Sequence, residues 1–231
     1  MNNNYLFILA LLALLACQGT TDQTGNAPDS AATVAEVGQP ESSPNNFYCI
    51  PGVQAGNVKA NSSEASLIAL LGAENVVRDS VYIGEGYYEK GTTLFKGTPD
   101  EAQILWKDTV NYANPRNVMI RSAEAKPNQW LVDSGIVMGM TLKEVEKING
   151  KPFKVAGFGW DYGGFVTDWQ RGKLAGKNEV ENLVIRFYYN IEDDKLGTIA
   201  EKVQGEGPFL SSHPAMQQLN PKVVEITIGF E

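Results

Sequence analysis

The stretch IVMGMTLKEVEKINGKPF, residues 136–153, decides how this chain is read. Thr141 stands where a helix N-cap would, and Glu144 follows three residues later to return the hydrogen bond, the pattern of a capping box. Val145 and Ile148 then fall on one side of a short helix. Gly150 closes that helix, since glycine tolerates the left-handed conformation, and Pro152 prevents its resumption. A second stretch, VKANSSEASLIALLGAENV at 58–76, carries the same signals. Displaced by 78 positions, Val58 falls on Ile136, Ser63 on Thr141, Leu67 on Val145, Leu70 on Ile148 and Gly72 on Gly150. Leu67 and Leu70 supply the apolar stripe here, and Ser63 the cap.

Strand-like runs follow each helix. After the first come VRDSVYIG, YYEKGTTLFKG and AQILWKDT, with Gly84, Gly86 and Gly91 as punctuation; NVMIRS after Pro115 completes the unit, and TPDE at Thr98 reads as a turn. After the second come FKVAGFGW, GGFVTDWQRG and ENLVIRFYYN. SSHPAMQQLNP, 211–221, reads as one short helix, and VVEITIGF, 223–230, as a terminal strand with Val224, Ile226 and Ile228 on one face. The fold class expected is α+β, two tandem repeats, each a short helical element packed on an antiparallel sheet. The expected units are residues 47–125 and 126–231.

The chain begins differently. Tyr5 to Ala16 read YLFILALLALLA, too short to span a bilayer but of the length of a signal-peptide core. Leu14-Leu15-Ala16-Cys17 resembles a bacterial lipobox, so residues 1–16 are expected to be removed and Cys17 to carry lipid. Residues 17–46 hold four acidic side chains, no basic one and no apolar periodicity, and read as a disordered tether. Gln18 rather than Asp after the acylated Cys favours the outer membrane, by resemblance to known lipoproteins. With Cys17 so occupied, Cys49 has no intramolecular partner; a buried inert thiol, an intermolecular disulfide and a reactive nucleophile are its three readings. The formal charge of -8 and the lack of a basic tract argue against nucleic acid as a partner.

The segment GIVMGMTLKEVEKINGKPF resembles the repeat of the beta-lactamase-inhibitor-protein-like and SmpA/OmlA-like folds, through Gly139, Met140, Thr141, Val145, Ile148 and Gly150, with Pro152 behind. Ser62-Ser63 replaces Met-Thr in the first copy. The resemblance implies a helix followed by a three- or four-stranded antiparallel sheet. Two units in tandem resemble the inhibitor protein, and the lipid anchor resembles the outer-membrane assembly lipoprotein. The chain departs from the inhibitor in having no internal disulfide. As a whole it resembles lipoproteins of Bacteroidetes-type bacteria.

The most distinctive local run is GFGWDYGG, 157–164, with Trp169 beyond. One reading makes Phe158, Trp160, Asp161, Tyr162 and Trp169 a binding platform, since large aromatics dominate binding hot spots. The other makes the run a tight hairpin whose aromatics pack inward. His213, the sole histidine, sits before Pro214 near a helix start, and no serine lies in a nucleophile elbow. Glu192, Asp193 and Asp194 lack EF-hand spacing and read as a solvated turn. Glu85 and Glu89 have no fixed separation that would make an acid–base pair. The expectation is a non-enzymatic cell-envelope lipoprotein of the outer membrane, facing periplasm or cell surface, with no cofactor and no metal. It would present a surface to a protein partner as inhibitor or assembly scaffold; a binding module for envelope glycan or a small ligand is the alternative.

Overall fold

The computed structural model describes residues 45–176, 182–189 and 194–230. The signal segment, Cys17, the tether as far as residue 44, Glu192 and Asp193 lie outside the described residues.

Three short strands, β1 (Tyr48–Ile50), β2 (Gln54–Ala55) and β3 (Val58–Lys59), lead into helix α1 (Glu64–Leu71). A meander follows of β4 (Val76–Gly84), β5 (Tyr87–Leu94), β6 (Ala102–Asp108) and β7 (Ala113–Arg121). Strand β8 (Leu131–Val132) returns to lie parallel to β1, and helix α2 (Leu142–Asn149) comes next. The rest runs β9 (Lys154–Ala156), β10 (Val166–Asp168), β11 (Leu183–Tyr188), α3 (Asp194–Ala200), β12 (Pro208–Leu210), α4 (Pro214–Leu219) and β13 (Lys222–Gly229). The class is α+β.

Both early helices form for local reasons. In α1 the Ser63 hydroxyl caps the Ser66 N–H and Ser66 returns the bond; in α2 Thr141 and Glu144 do the same. Gly150 adopts the left-handed conformation, whereas Gly72 ends α1 with an extended ψ of 148°. The buried stripe of α1 is Leu67 and Leu71, one turn apart, and Leu70 faces solvent. The helix is thus rotated about its axis from the orientation expected. Each helix start is also pinned to the start of a distant strand. Glu64 N–H donates to Tyr112 O at 2.8 Å and Asn114 N–H to Ser62 O at 2.9 Å. Leu142 N–H donates to Pro221 O at 2.8 Å and Val223 N–H to Met140 O at 2.8 Å.

The helices do not each have a sheet of their own. Six strands run in the order β11-β13-β7-β6-β5-β4, antiparallel at every step, so the largest sheet crosses from one expected unit to the other where β13 pairs with β7. A three-stranded sheet, β10-β9-β12, stands beside it. One bridge, Phe165 to Arg186, joins the second sheet to β11. Alternation sends Ile104, Val118, Ile120, Ile185, Phe187, Ile226 and Ile228 into the core with Leu67, Leu71, Leu142 and Val145. Burying each such side chain contributes about 1.5–3 kcal/mol. A bulge where Arg186 pairs Glu225 and Phe187 pairs Val223 shifts the end of β13. Val223, not Val224, therefore lies in the core.

The opposite face of the sheet is partly covered too. Strand β5 pairs with β4 along its whole length but with β6 only from Gly91 to Leu94. Residues 87–90 leave β6, and the hairpin bends over so that Val81 joins Leu105 and Met119 in a small second cluster. Gly91 makes the bend: a Cβ there would collide with the Ile104 carbonyl and the Val81 side chain.

Candidate functional site

The bent hairpin carries its turn to the loop at 157–164, and the two together make one surface. At the turn, Gly84, Glu85 and Gly86 all have positive φ, at 119°, 50° and 79°. Two glycines in this geometry relieve the strain that Glu85 alone bears. The turn holds Tyr82, Ile83, Tyr87 and Tyr88 in solvent, with Tyr87 66% exposed. Tyr82 and Tyr88 lie with ring centroids 5.3 Å apart.

The loop is fixed by what it buries. Phe158 is 2% exposed and meets Tyr189 edge to face at 4.7 Å, while its N–H donates to Val203 O at 2.8 Å. At the far end, Phe187 N–H donates to Gly164 O at 2.8 Å. Trp169 is 1% exposed and packs at 5.1 Å from Phe153. Phe158 and Trp169 therefore belong to the core and not to a binding platform; the glycines of the loop let the chain turn tightly enough to point Phe158 inward, and Trp169 packs on Phe153 beyond β10. The other three residues reach the surface. Trp160 is half-buried, its Nε1–H donating to Gly157 O at 2.8 Å and its ring edge-on to Tyr162 at 5.4 Å. Asp161 is exposed, and Tyr162 is 41% exposed.

Polar contacts hold hairpin and loop together. Glu85 N–H donates to Asp161 Oδ2 at 3.1 Å, and Gly84 lies against the Tyr162 ring. Arg121, on the outer face of β7, donates to Tyr82 O at 2.8 Å and to Gln103 Oε1 at 3.1 Å. Its Nε meets Glu225 Oε2 at 3.2 Å, and the Thr227 hydroxyl donates to Glu225 Oε1 at 3.1 Å. Arg186 donates to Gly163 O at 2.9 Å and Asp161 O at 3.0 Å, with its guanidinium 4.9 Å over the Phe165 ring. Arg116 pairs with Glu89 at 2.9 Å. Between hairpin, loop and sheet lies a pocket of about 150 Å³ walled by Tyr82, Tyr162 and Phe165 and floored by Arg121, Arg186 and Glu225. The carboxylate of Glu85 above all, then burial and Asp161, pushes the Tyr162 phenol above its ordinary pKa.

Sequence reasoning found Trp160, Asp161 and Tyr162 but missed Tyr82, Ile83, Tyr87, Tyr88, Arg121 and Arg186. The missed signal was YIGEGYY, 82–88, where aromatics crowd a two-glycine turn on both sides. The remaining candidates have structural roles. His213 caps α4 by accepting from Ala215 N–H at 3.2 Å. Cys49 is fully buried, and burial pushes its thiol up to about 12. Glu89 is committed to Arg116, and Glu85 sits on the turn. Among the described residues no three His, Cys, Asp or Glu side chains group as metal ligands. A larger cavity of about 630 Å³ is lined by Tyr188, Tyr189, Leu196 and Leu219, and Tyr189 also packs on Phe158 of the loop. No family model, curated protein or solved structure matches the chain.

Proposed function

We propose that this chain is an outer-membrane lipoprotein, anchored through Cys17, that acts without catalysis by presenting the hairpin tip and the 157–164 loop to a protein partner in the envelope. The observation that carries this reading is the contiguous exposure of Tyr82, Ile83, Tyr87, Tyr88 and Tyr162. Exposed aromatics that are single need no explanation, but a cluster of this kind costs solubility and is typical of an interaction site. Tyrosine also brings a large contact area with few rotamers to freeze. The surface is held by contacts from the hairpin to both β7 and the loop, so little ordering remains to be done on binding.

The reading includes two paired copies of one α+β pattern, supported by the matched pinning of α1 to β7 and of α2 to β13. On that reading β7 and β13, each the last strand of its copy, pair side by side within the shared sheet.

The test is a pull-down from solubilised envelopes with wild type and a Trp160→Ala, Tyr162→Ala double variant, with Tyr87→Ala as a second. A stoichiometric protein retained by wild type and lost in both variants is expected. Retention on peptidoglycan or polysaccharide with no protein partner would overturn the reading in favour of a glycan-binding module. Incorporation of labelled palmitate, abolished in Cys17→Ala, is expected of the anchor; unlabelled wild-type protein would remove it.

A further inference from the structure

We infer that the outer side of helix α2 is a docking surface for anionic lipid headgroups, engaged through Lys143, Lys147, Lys151 and Lys173. The inference rests on the envelope-lipoprotein reading above and adds a second contact between the chain and its membrane.

The sequence scatters these residues and the fold gathers them. Lys143 and Lys147 are exposed one turn apart on α2, away from the buried Leu142 and Val145, and Lys151 follows the helix end. The three line an open recess of about 280 Å³ with Glu146, Gly150 and Pro152. Lys173 comes from the segment after β10. Its N–H donates to Asn149 O at 2.8 Å, and Leu174 N–H donates to Asn149 Oδ1 at 3.1 Å, which fixes that segment against the end of α2. A Cβ on Gly150 would stand 3.7 Å from the Lys173 Cε, so the fourth lysine borders the same recess. Arg171 is exposed two residues away.

These charges are not balanced locally. Like charges four residues apart on a helix repel, and none of the four lysines forms an ion pair with an acid among the described residues. The two acids of α2 are engaged elsewhere. Glu144 accepts from Thr141 N–H at 2.8 Å in the capping box, and Glu146 accepts from the buried Ser211 hydroxyl. The chain as a whole carries a formal charge of -8. An anionic bilayer therefore attracts this patch and repels the remainder, so the contact sets an orientation. Helix α2 packs Leu142 and Val145 on the core face of the six-stranded sheet, and the hairpin bends over the opposite face. With α2 against the bilayer, the hairpin tip is held on the far side, towards the partner.

The experiment uses the lipidated protein, reconstituted through its anchor into nanodiscs that contain a lipid with a paramagnetic headgroup. The anchor attaches the chain to every disc, and the readout is which part of the fold meets the headgroups. Relaxation of the Gly150 amide by NMR reports the α2 end, and that of Gly86 reports the hairpin tip. In discs with about one-third phosphatidylglycerol, Gly150 is expected to relax about five-fold faster than Gly86 or more, since each basic side chain at an anionic surface strengthens binding about five-fold. In phosphatidylcholine alone, or at about 0.5 M salt, where screening acts within a few ångströms, the two rates converge. Lys147→Gln with Lys151→Gln lowers the ratio, Lys147→Arg with Lys151→Arg keeps it, and the charge-matched Lys59→Gln with Lys90→Gln leaves it unchanged. A ratio equal in neutral and anionic discs, faster relaxation at Gly86, or an equal loss in the charge-matched control overturns the inference. So does loss of the protein partner in the first glutamine variant without a change in its ratio, which would assign the lysines to an acidic partner. Should Cys17 carry no lipid, the same ratio is read on protein added to the discs, so failure of the anchor and failure of this contact are told apart.

Discussion

Glu64 opens helix α1 and is nevertheless buried, because two side chains bond its carboxylate and a third bonds one of those two. Arg78 Nε donates to one oxygen at 2.7 Å and the Thr92 hydroxyl to the other at 2.8 Å, and Thr92 accepts from Trp106 Nε1 at 2.9 Å. A buried polar group that loses its partner costs about 1–3 kcal/mol, and Thr92 and Trp106 are both buried away from solvent. Glu64→Ala is therefore expected to lower stability in urea by about 2 kcal/mol. Arg78→Ala should cost less than about 1 kcal/mol, since the Arg78 side chain is mostly exposed and an ion pair there is screened. Equal losses would contradict this account of the network. Cys49 makes a pH prediction. Its thiol is pushed up to about 12 in the folded protein by burial, from an ordinary value of 9.0. Above pH 9 the unfolded chain releases this proton while the folded one keeps it, so stability falls as pH rises from 9 towards 12. The loss should be smaller in Cys49→Ala, measured as the urea midpoint against pH; parallel curves would show that the thiol is not the titrating group.

Among the elements, helices α1, α2 and α4 and the strands of the hairpin were legible in the sequence; α3, which begins at Asp194 where a solvated turn was expected, and the bend of the hairpin were not. A capping box and a C-terminal glycine are both local signals, so Thr141, Glu144 and Gly150 could be read directly. Thr141→Ala should cost about 1 kcal/mol of stability in a thermal or urea melt. The bend of β4 and β5 depends instead on Gly91 meeting Ile104 and Val81, contacts that no local window contains. Gly91→Ala must push the hairpin away from the sheet and should destabilise the chain by more than the cap variant. It should also weaken partner binding, because Tyr82 loses its place over Arg121. A Gly91→Ala protein as stable as wild type would mean that the hairpin does not need this close approach. The loop at 157–164 was half legible for a similar reason. Its composition announced a special turn, but an irregular loop has no period from which to decide that Phe158 points in and Trp160 and Tyr162 lie outward.

At the scale of the molecule, the pairing of β7 with β13 binds the halves into one sheet. Repetition of the helix signals suggested two units, but strand pairing between residues a hundred positions apart leaves no mark on either segment alone. Residues 47–125 by themselves would expose the β7 edge and the inner face of Val118 and Ile120. That fragment is expected to lack dispersed NMR signals and to aggregate, whereas the full chain unfolds in one transition; a well-folded monomeric fragment would contradict the shared core. On the proposed function, the hairpin tip and the 157–164 loop form one partner-binding surface. Photo-crosslinking in intact cells tests it most directly, with the crosslinker placed at Tyr87, at Tyr162 and at Leu70, which is exposed on α1 on the other side of the sheet. Tyr87 and Tyr162 are expected to capture the same protein, and Leu70 none of it. Different proteins from the two tyrosine positions, no protein from either, or equal capture from Leu70 would contradict it.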